Sequence, residues 1–230
     1  IAYYFIDDKP RDKKTDVNDE PTKPVLKIIK SLIDDLREID WSVFGDAFAL
    51  KFAGDSAKMA FFSNYNIRIK DRFDVSPKVS GYTIAFISMI GIITGLFSNS
   101  INEKFYKDDL TYRKRLIHAF GMMSFAFTSA FFAINLWFYQ ASTFLFSIAN
   151  MIITVALTEM IVERATATHQ GSVAGSTESI GSLARLIAPV STGIIEDLFG
   201  ANSTNLLAAA LGIFGLVIAM KLPKADLKGN

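Results

Sequence analysis

The sequence predicts an all-α membrane protein, six transmembrane helices forming one bundle, preceded by an amphipathic helix on the cytoplasmic side. Three observations carry this expectation. Half of the 230 residues are hydrophobic and twenty are Phe, and the apolar residues are gathered into runs instead of amphipathic stripes. Three of those runs, 79–102, 116–158 and 198–220, contain no Asp, Glu, Lys or Arg. The charges that remain lie mostly on one side of the expected spans, as the topology of a multi-pass protein requires.

In chain order, residues 1–6, IAYYFI, read as the end of a preceding transmembrane helix. Residues 7–40 read as a cytoplasmic linker, charged and Pro-containing over 7–24, with no cleavable signal ahead of the spans. Within it, VLKIIKSLIDDLREI sets Val25, Ile28, Ile29, Leu32, Ile33, Leu36 and Ile39 on one helical face over about 25–39. That helix is too polar to span; it suits the bilayer surface, with a partner helix as the other reading.

The bundle occupies 41–230, with spans expected at about 41–65, 79–102, 114–135, 139–162, 169–195 and 203–221. A span takes about 20 apolar residues, so the 43-residue run 116–158 holds two. They divide at NLWFYQ, Asn135 to Gln140, whose aromatics suit the headgroup layer. The first span is the charged one, with Asp46, Lys51, Asp55 and Lys58; the last three form a stripe at i, i+4 and i+7 that must face water, a cavity or other helices.

Six spans place both termini on one side. Seventeen Lys and Arg fall on the side of the linker and tail against four on the other, all within 68–78, so both ends are expected in the cytoplasm. The sequence does not distinguish a plasma from an endolysosomal membrane. The sequon NST at Asn202 falls on the outer or lumenal side, too near the membrane to favour glycosylation.

Composition excludes several classes. The chain has no Cys, hence no disulfide framework, thiolate catalysis or cysteine-ligated metal, and its net charge of +1 gives no basic field for nucleic acid. His118 and His169 are isolated interfacial residues without a ligand set. With no phosphate loop, nucleophile elbow or zinc signature, nothing points to an enzyme, a metal or a cofactor.

The chemistry-bearing residues lie within the spans. Glu178 and Arg185 share a face of the fifth, seven residues and about 10 Å apart along the axis, too far for a tight ion pair. They suit the flank of a polar cavity, or partners on other helices. Gly171, Gly175 and Ser179 recur every four residues and predict a closely packed face; Pro189 should bend the helix, with Gly193 one turn later.

On the first span Lys51 either neutralises Asp55 or leaves it free to exchange protons, and Asn150 on the fourth is a candidate hydrogen-bonding partner in the same cavity. Glu159 and Glu163, at the cytoplasmic end of the fourth span, suit an interface or a gate.

QGSVAGSTESIGSLARLIAPVSTGIIEDLFG, with Gly171, Gly175, Arg185, Pro189 and Gly193 in rhythm, is similar to the eleventh helix of tetracycline-antiporter-like members of the major facilitator superfamily. IRIKDRFDVSPKVSGYTIAF, 67–86, is similar to their connection between the seventh and eighth helices. The whole chain resembles the C-terminal half of such a transporter, including the branch of major facilitator domain-containing and organic-cation-transporter-like carriers. One departure is that GLFSNSINEKFYKDDLTYRKR gives no clear match to the Gly-x-x-x-Asp-Arg latch motif.

The resemblance implies a secondary transporter that moves a small organic solute by alternating access, driven by a gradient, with protons as the expected coupling ion. It also implies an N-terminal six-helix partner, without which the chain should be inactive. The competing reading is a receptor or assembly protein that keeps the fold without transport.

Overall fold

The computed structural model describes residues 41–107, 109–165 and 170–223. The expected N-terminal helix end, the linker and the amphipathic helix over 25–39 all lie outside these residues, as does His169.

Among the described residues there is no strand. The eight α-helices are α1 (Trp41–Phe62), α2 (Tyr65–Phe73), α3 (Pro77–Leu96), α4 (Ser98–Phe105), α5 (Arg113–Phe131), α6 (Leu136–Arg164), α7 (Gln170–Phe199) and α8 (Thr204–Lys221), with a 3₁₀ turn over Ala201–Ser203. Three segments, Pro77–Leu96, Leu136–Arg164 and Ala201–Lys221, are long and apolar enough to cross a membrane. α1, α5 and α7, at 22, 19 and 30 residues, reach comparable or greater lengths but bear charges within them or, in α5, at the first turn.

Local chemistry fixes several boundaries, and two differ from expectation. α3 starts where Ser76 accepts from the Val79 N–H and Pro77 takes the first helical turn, whose N–H groups have no partner within the helix. The expected span 79–102 is broken at Phe97, and the polar SNSINEKF folds separately as α4. The break in the long apolar run lies at 132–135, ahead of the aromatics: Asn135 accepts from the Phe138 N–H at 2.8 Å, and this cap places Leu136 to Gln140 inside α6.

α1 runs through the middle, packed on α6, α7 and α8, while α5 lies between α6 and α8 and α3 leans on α6. Small residues make the close crossings. A Cβ on Gly215 of α8 would enter the Phe120 ring of α5, and one on Gly212 would come 2.6 Å from Ser124 Oγ. Large apolar side chains such as Ile92, Leu96, Trp137 and Val190 point outward, the arrangement expected where the surrounding solvent is lipid.

One end of the bundle is closed by aromatic packing and arginine. Phe61, Phe127 and Phe146 stack with centroids 4.9–5.3 Å apart, joined by Tyr65 and Tyr139. Arg68 of α2 lies over the Phe61 ring, 1% exposed, and donates to the Tyr139 hydroxyl at 3.3 Å, to Thr204 Oγ1 and to the Phe61 carbonyl.

One turn on, Arg72 donates to the carbonyls of Ala130, Phe131 and Ala133 at the end of α5, and to Asn202 Oδ1. Helix C-termini leave carbonyls unpaired and carry partial negative charge, so this guanidinium suits the position. The sequon residue Asn202 is engaged in the same tie, its amide donating to the Phe131 carbonyl at 3.1 Å.

Gly215→Ala should destabilise the fold by about 1–3 kcal/mol through overpacking against Phe120. A thermal unfolding midpoint in detergent several degrees below that of the unaltered protein is the expected reading; an unchanged midpoint contradicts the close crossing.

Candidate functional site

α1, α6 and α7 enclose a cavity of about 510 Å³. α1 contributes Lys51, Gly54 and Asp55, α6 contributes Asn150 and the apolar and threonine positions that follow it, and α7 contributes Val173, Ala174, Thr177 and Glu178. Four of the five expected pathway residues, Lys51, Asp55, Asn150 and Glu178, thus line one space although up to 127 positions separate them in sequence.

Lys51 and Asp55, which line the cavity, belong with Lys58 to an ionic triad on α1. Lys51 Nζ donates to Asp55 Oδ2 and Lys58 Nζ to Asp55 Oδ1, both at 2.9 Å, from positions one helical turn to either side. Lys58 lay on the expected stripe and was not assigned to the site; the structure gives it half of Asp55. Gly181 of α7 lets the helices approach here, since a Cβ would come 3.3 Å from Asp55 Oδ2 and 3.9 Å from the Arg185 guanidinium.

Arg185 does not line the cavity. It is held on its own helix, donating to Ser182 Oγ at 3.0 Å, with Nη2 3.6 Å from Glu178 Oε2. The expected axial gap is largely spanned by the long side chain, giving a loose contact beyond hydrogen-bond length. With side chains 54% and 75% exposed the pair holds the fold together little.

The glycine expectation for α7 is corrected. Cβ atoms at Gly171, Gly175 and Gly193 would meet nothing within 4 Å, so these residues do not make the packed face. That face is Val173, Ser176, Ile180, Ala184, Ala188 and Thr192, which are buried. Gly171, Gly175, Glu178, Ser182, Arg185 and Pro189 form the opposite, exposed stripe. The helix continues unbroken through Pro189, from Gln170 to Phe199.

On α6 the sequence signal was fuller than the single residue singled out. Thr154 and Thr158 follow Asn150 at four and eight residues, donate back to the carbonyls of Asn150 and Thr154 at 2.8 Å, and keep oxygen lone pairs on the cavity side.

A model of the Major Facilitator Superfamily matches residues 1–189, most of the chain. The chain belongs to that superfamily. No curated protein matches it closely enough to count as a relative. Membership makes this a membrane protein of a transporter family, consistent with the outward-facing apolar surface of the fold.

The superfamily's latch motif has no clear match in the α4–α5 loop, yet the loop builds an ionic cluster of its own. The Asp109 carboxylate accepts from the backbone N–H groups of Lys114 and Arg115, capping α5, and Arg115 Nη1 donates to Glu159 Oε2 at 2.7 Å. Tyr112, in the left-handed region at φ 58°, donates to Glu163 Oε2 at 2.6 Å and lies under the Arg115 guanidinium. Arg164 is paired with Asp46 of α1. Glu159 and Glu163 are therefore brought together with a loop, a contact pattern that serves an interface or a gate alike.

Burial, followed by the hydrogen bond to Glu163, pushes the Tyr112 hydroxyl from 10.0 up to about 12. A raised folded value means that its contribution is full below pH 10 and lost as pH rises through about 12. In an alkaline stability series, Tyr112→Phe should flatten the part of the loss that falls in this window; an identical profile contradicts the contact.

The chain has no Cys of its own, so single thiols are informative. Cysteines replacing Thr158 and Ala174, which line the cavity, should react with a membrane-impermeant maleimide in the full-length protein. Those replacing Ser176 and Ala188, buried at 0% and 3%, should not. Labelling at Thr158 and Ala174 no stronger than at the two buried positions, with none of the four reacting, would mean that the cavity is not reached by water.

Proposed function

We propose that the chain is the C-terminal six-helix half of a secondary transporter, with α1, α3, α5, α6, α7 and α8 as its spans and both ends in the cytoplasm. It moves a small organic solute by alternating access, with protons as the coupling ion. The observation that carries the reading is the convergence of Lys51, Asp55, Asn150 and Glu178 on one cavity between three helices.

Glu178 belongs both to the exposed stripe of α7 and to the cavity lining, and in a two-bundle transporter the N-terminal half supplies the facing wall. Glu178 is the proton-carrying candidate, because Asp55 is saturated by two lysines whereas Glu178 has only the loose Arg185 contact. Pro189 leaves the Arg185 carbonyl without its usual i+4 donor, a second polar group on the same stripe. The Asp109–Arg115–Glu159 cluster takes the place of the missing latch motif, and with Tyr112–Glu163 and Arg164–Asp46 it forms the cytoplasmic gate.

A receptor or assembly protein that keeps this fold would also pair its charges, as the Lys51–Asp55–Lys58 triad does. It would have no need of an open volume beside them.

In the full-length protein at equal surface expression, Glu178→Gln should abolish the pH dependence of solute flux. Arg185→Leu, which removes the one cation beside Glu178, should alter that pH dependence while changing the size of the flux only a few-fold. Normal flux and pH dependence in both variants, or flux from the 230-residue chain alone in vesicles, would overturn the assignment.

A further inference from the structure

The cavity is graded along its length. Lys51, Asp55 and Asn150 lie near the midpoints of α1 and α6, whereas Leu157, Ile161 and Val162 line the way from there to the C-terminal end of α6, joined by Val173 near the start of α7. The level of Lys51, Asp55 and Asn150, called here the deep end, is polar and ionic, and beyond it α6 lines the cavity with apolar side chains and the two threonines Thr154 and Thr158.

The charges at the deep end do not cancel. One carboxylate, Asp55, binds two ammonium groups and has both oxygens occupied. A cationic ligand there would meet two ammonium groups of its own sign. Glu178 also lines the cavity, and with Lys58 and Arg185 beside it the five charges of this region are three cations against two carboxylates. Lys51 lines the cavity, its side chain is 23% exposed, and among the described residues it donates one hydrogen bond of the three that an ammonium offers. A positive charge facing a partly apolar cavity is stabilised by a bound anion.

We propose that the cavity takes an amphiphilic organic anion. Its carboxylate, sulfonate or phosphate monoester meets Lys51 at the deep end, and its aliphatic or aryl body lies along Ile153, Leu157 and Ile161. Asn150 and the threonines beside it supply polar contacts near the head group, and Asp55 and Lys58 act as positioning residues that hold Lys51 in place. A volume of about 510 Å³ suits a ligand of drug-like size. This deepens the transport reading of the same cavity and rests on it.

The test uses the full-length protein in detergent and three probes of one shape: 4-butylbenzoate, 4-butylbenzyl alcohol and 4-butylbenzylammonium. The anion should raise the thermal unfolding midpoint in a saturable way, and its neutral and cationic counterparts should not. Lys51→Gln should weaken the apparent affinity for the anion by at least about tenfold, and Lys51→Arg should keep it within a few-fold. Leu157→Trp, which fills the apolar wall and leaves the triad intact, should weaken it as well.

The proposal is overturned if the cation or the alcohol stabilises as well as the benzoate, if none of the three does at millimolar concentration, or if Lys51→Gln binds the anion unchanged. Flux separates the two readings: anion binding without transport of any solute sinks the transporter assignment and leaves the ligand class standing. Transport with a preference for cations does the reverse.

Discussion

A single carboxylate, Asp55, governs what the middle of this bundle can contain. Taking a charged side chain out of water costs several kcal/mol unless it is paired, and α1 carries two partly buried lysines here. Both are tolerated because Asp55 stands four residues from one and three from the other, within reach of each on the same helical face. The same carboxylate lies against the bare backbone of Gly181, so α7 is seated on α1 at the level of the triad. The cavity is the space left when α7 is held there while α6 follows its own packing onto α5 and α3.

The opposite end meets the same cost by a different route. Arg68 and Arg72 have no carboxylate partners among the described residues; hydroxyls and helix-end carbonyls take their protons, and an aromatic face lies against the Arg68 guanidinium. Guanidinium suits this because its donors fan out in a plane and reach several backbone acceptors at once. Removing either arginine would take a donor away from acceptors on three elements, so this end is firmly tied together. The bundle thus has one end sealed by side chains that face inward and another where polar groups look into open volume.

Much of this was legible in the sequence because lipid imposes a coarse rule. Uncharged runs of 20 or more residues reported the apolar helices, and charges inside spans reported the cavity, since each such charge needs a reason to be there. Four of the residues singled out in this way, Lys51, Asp55, Asn150 and Glu178, line one cavity. The failures came where a rule about spacing stood in for knowledge of the neighbour. Gly171 and Gly175 have the four-residue rhythm of a packed face, but rhythm does not say which face meets another helix, and here the alanine and serine positions do. Arg68 and Arg72 read as loop charges because their partners are carbonyls, which leave no mark in a sequence. The breaks at Phe97 and 132–135 depended on local caps and polar residues too short to outweigh the apolar runs around them.

The face that α7 buries, Val173, Ser176, Ile180, Ala184, Ala188 and Thr192, carries no ring and mostly small side chains. Elsewhere the helices are keyed by rings: Phe120 sits over Gly215, and Phe61, Phe127 and Phe146 lock α1, α5 and α6. A helix that rests on small residues can translate or roll with few rotamer barriers, whereas one gripped by aromatics cannot. α7 is therefore a low-friction element of the bundle, outside the ring contacts that fix α1, α5 and α6 to one another.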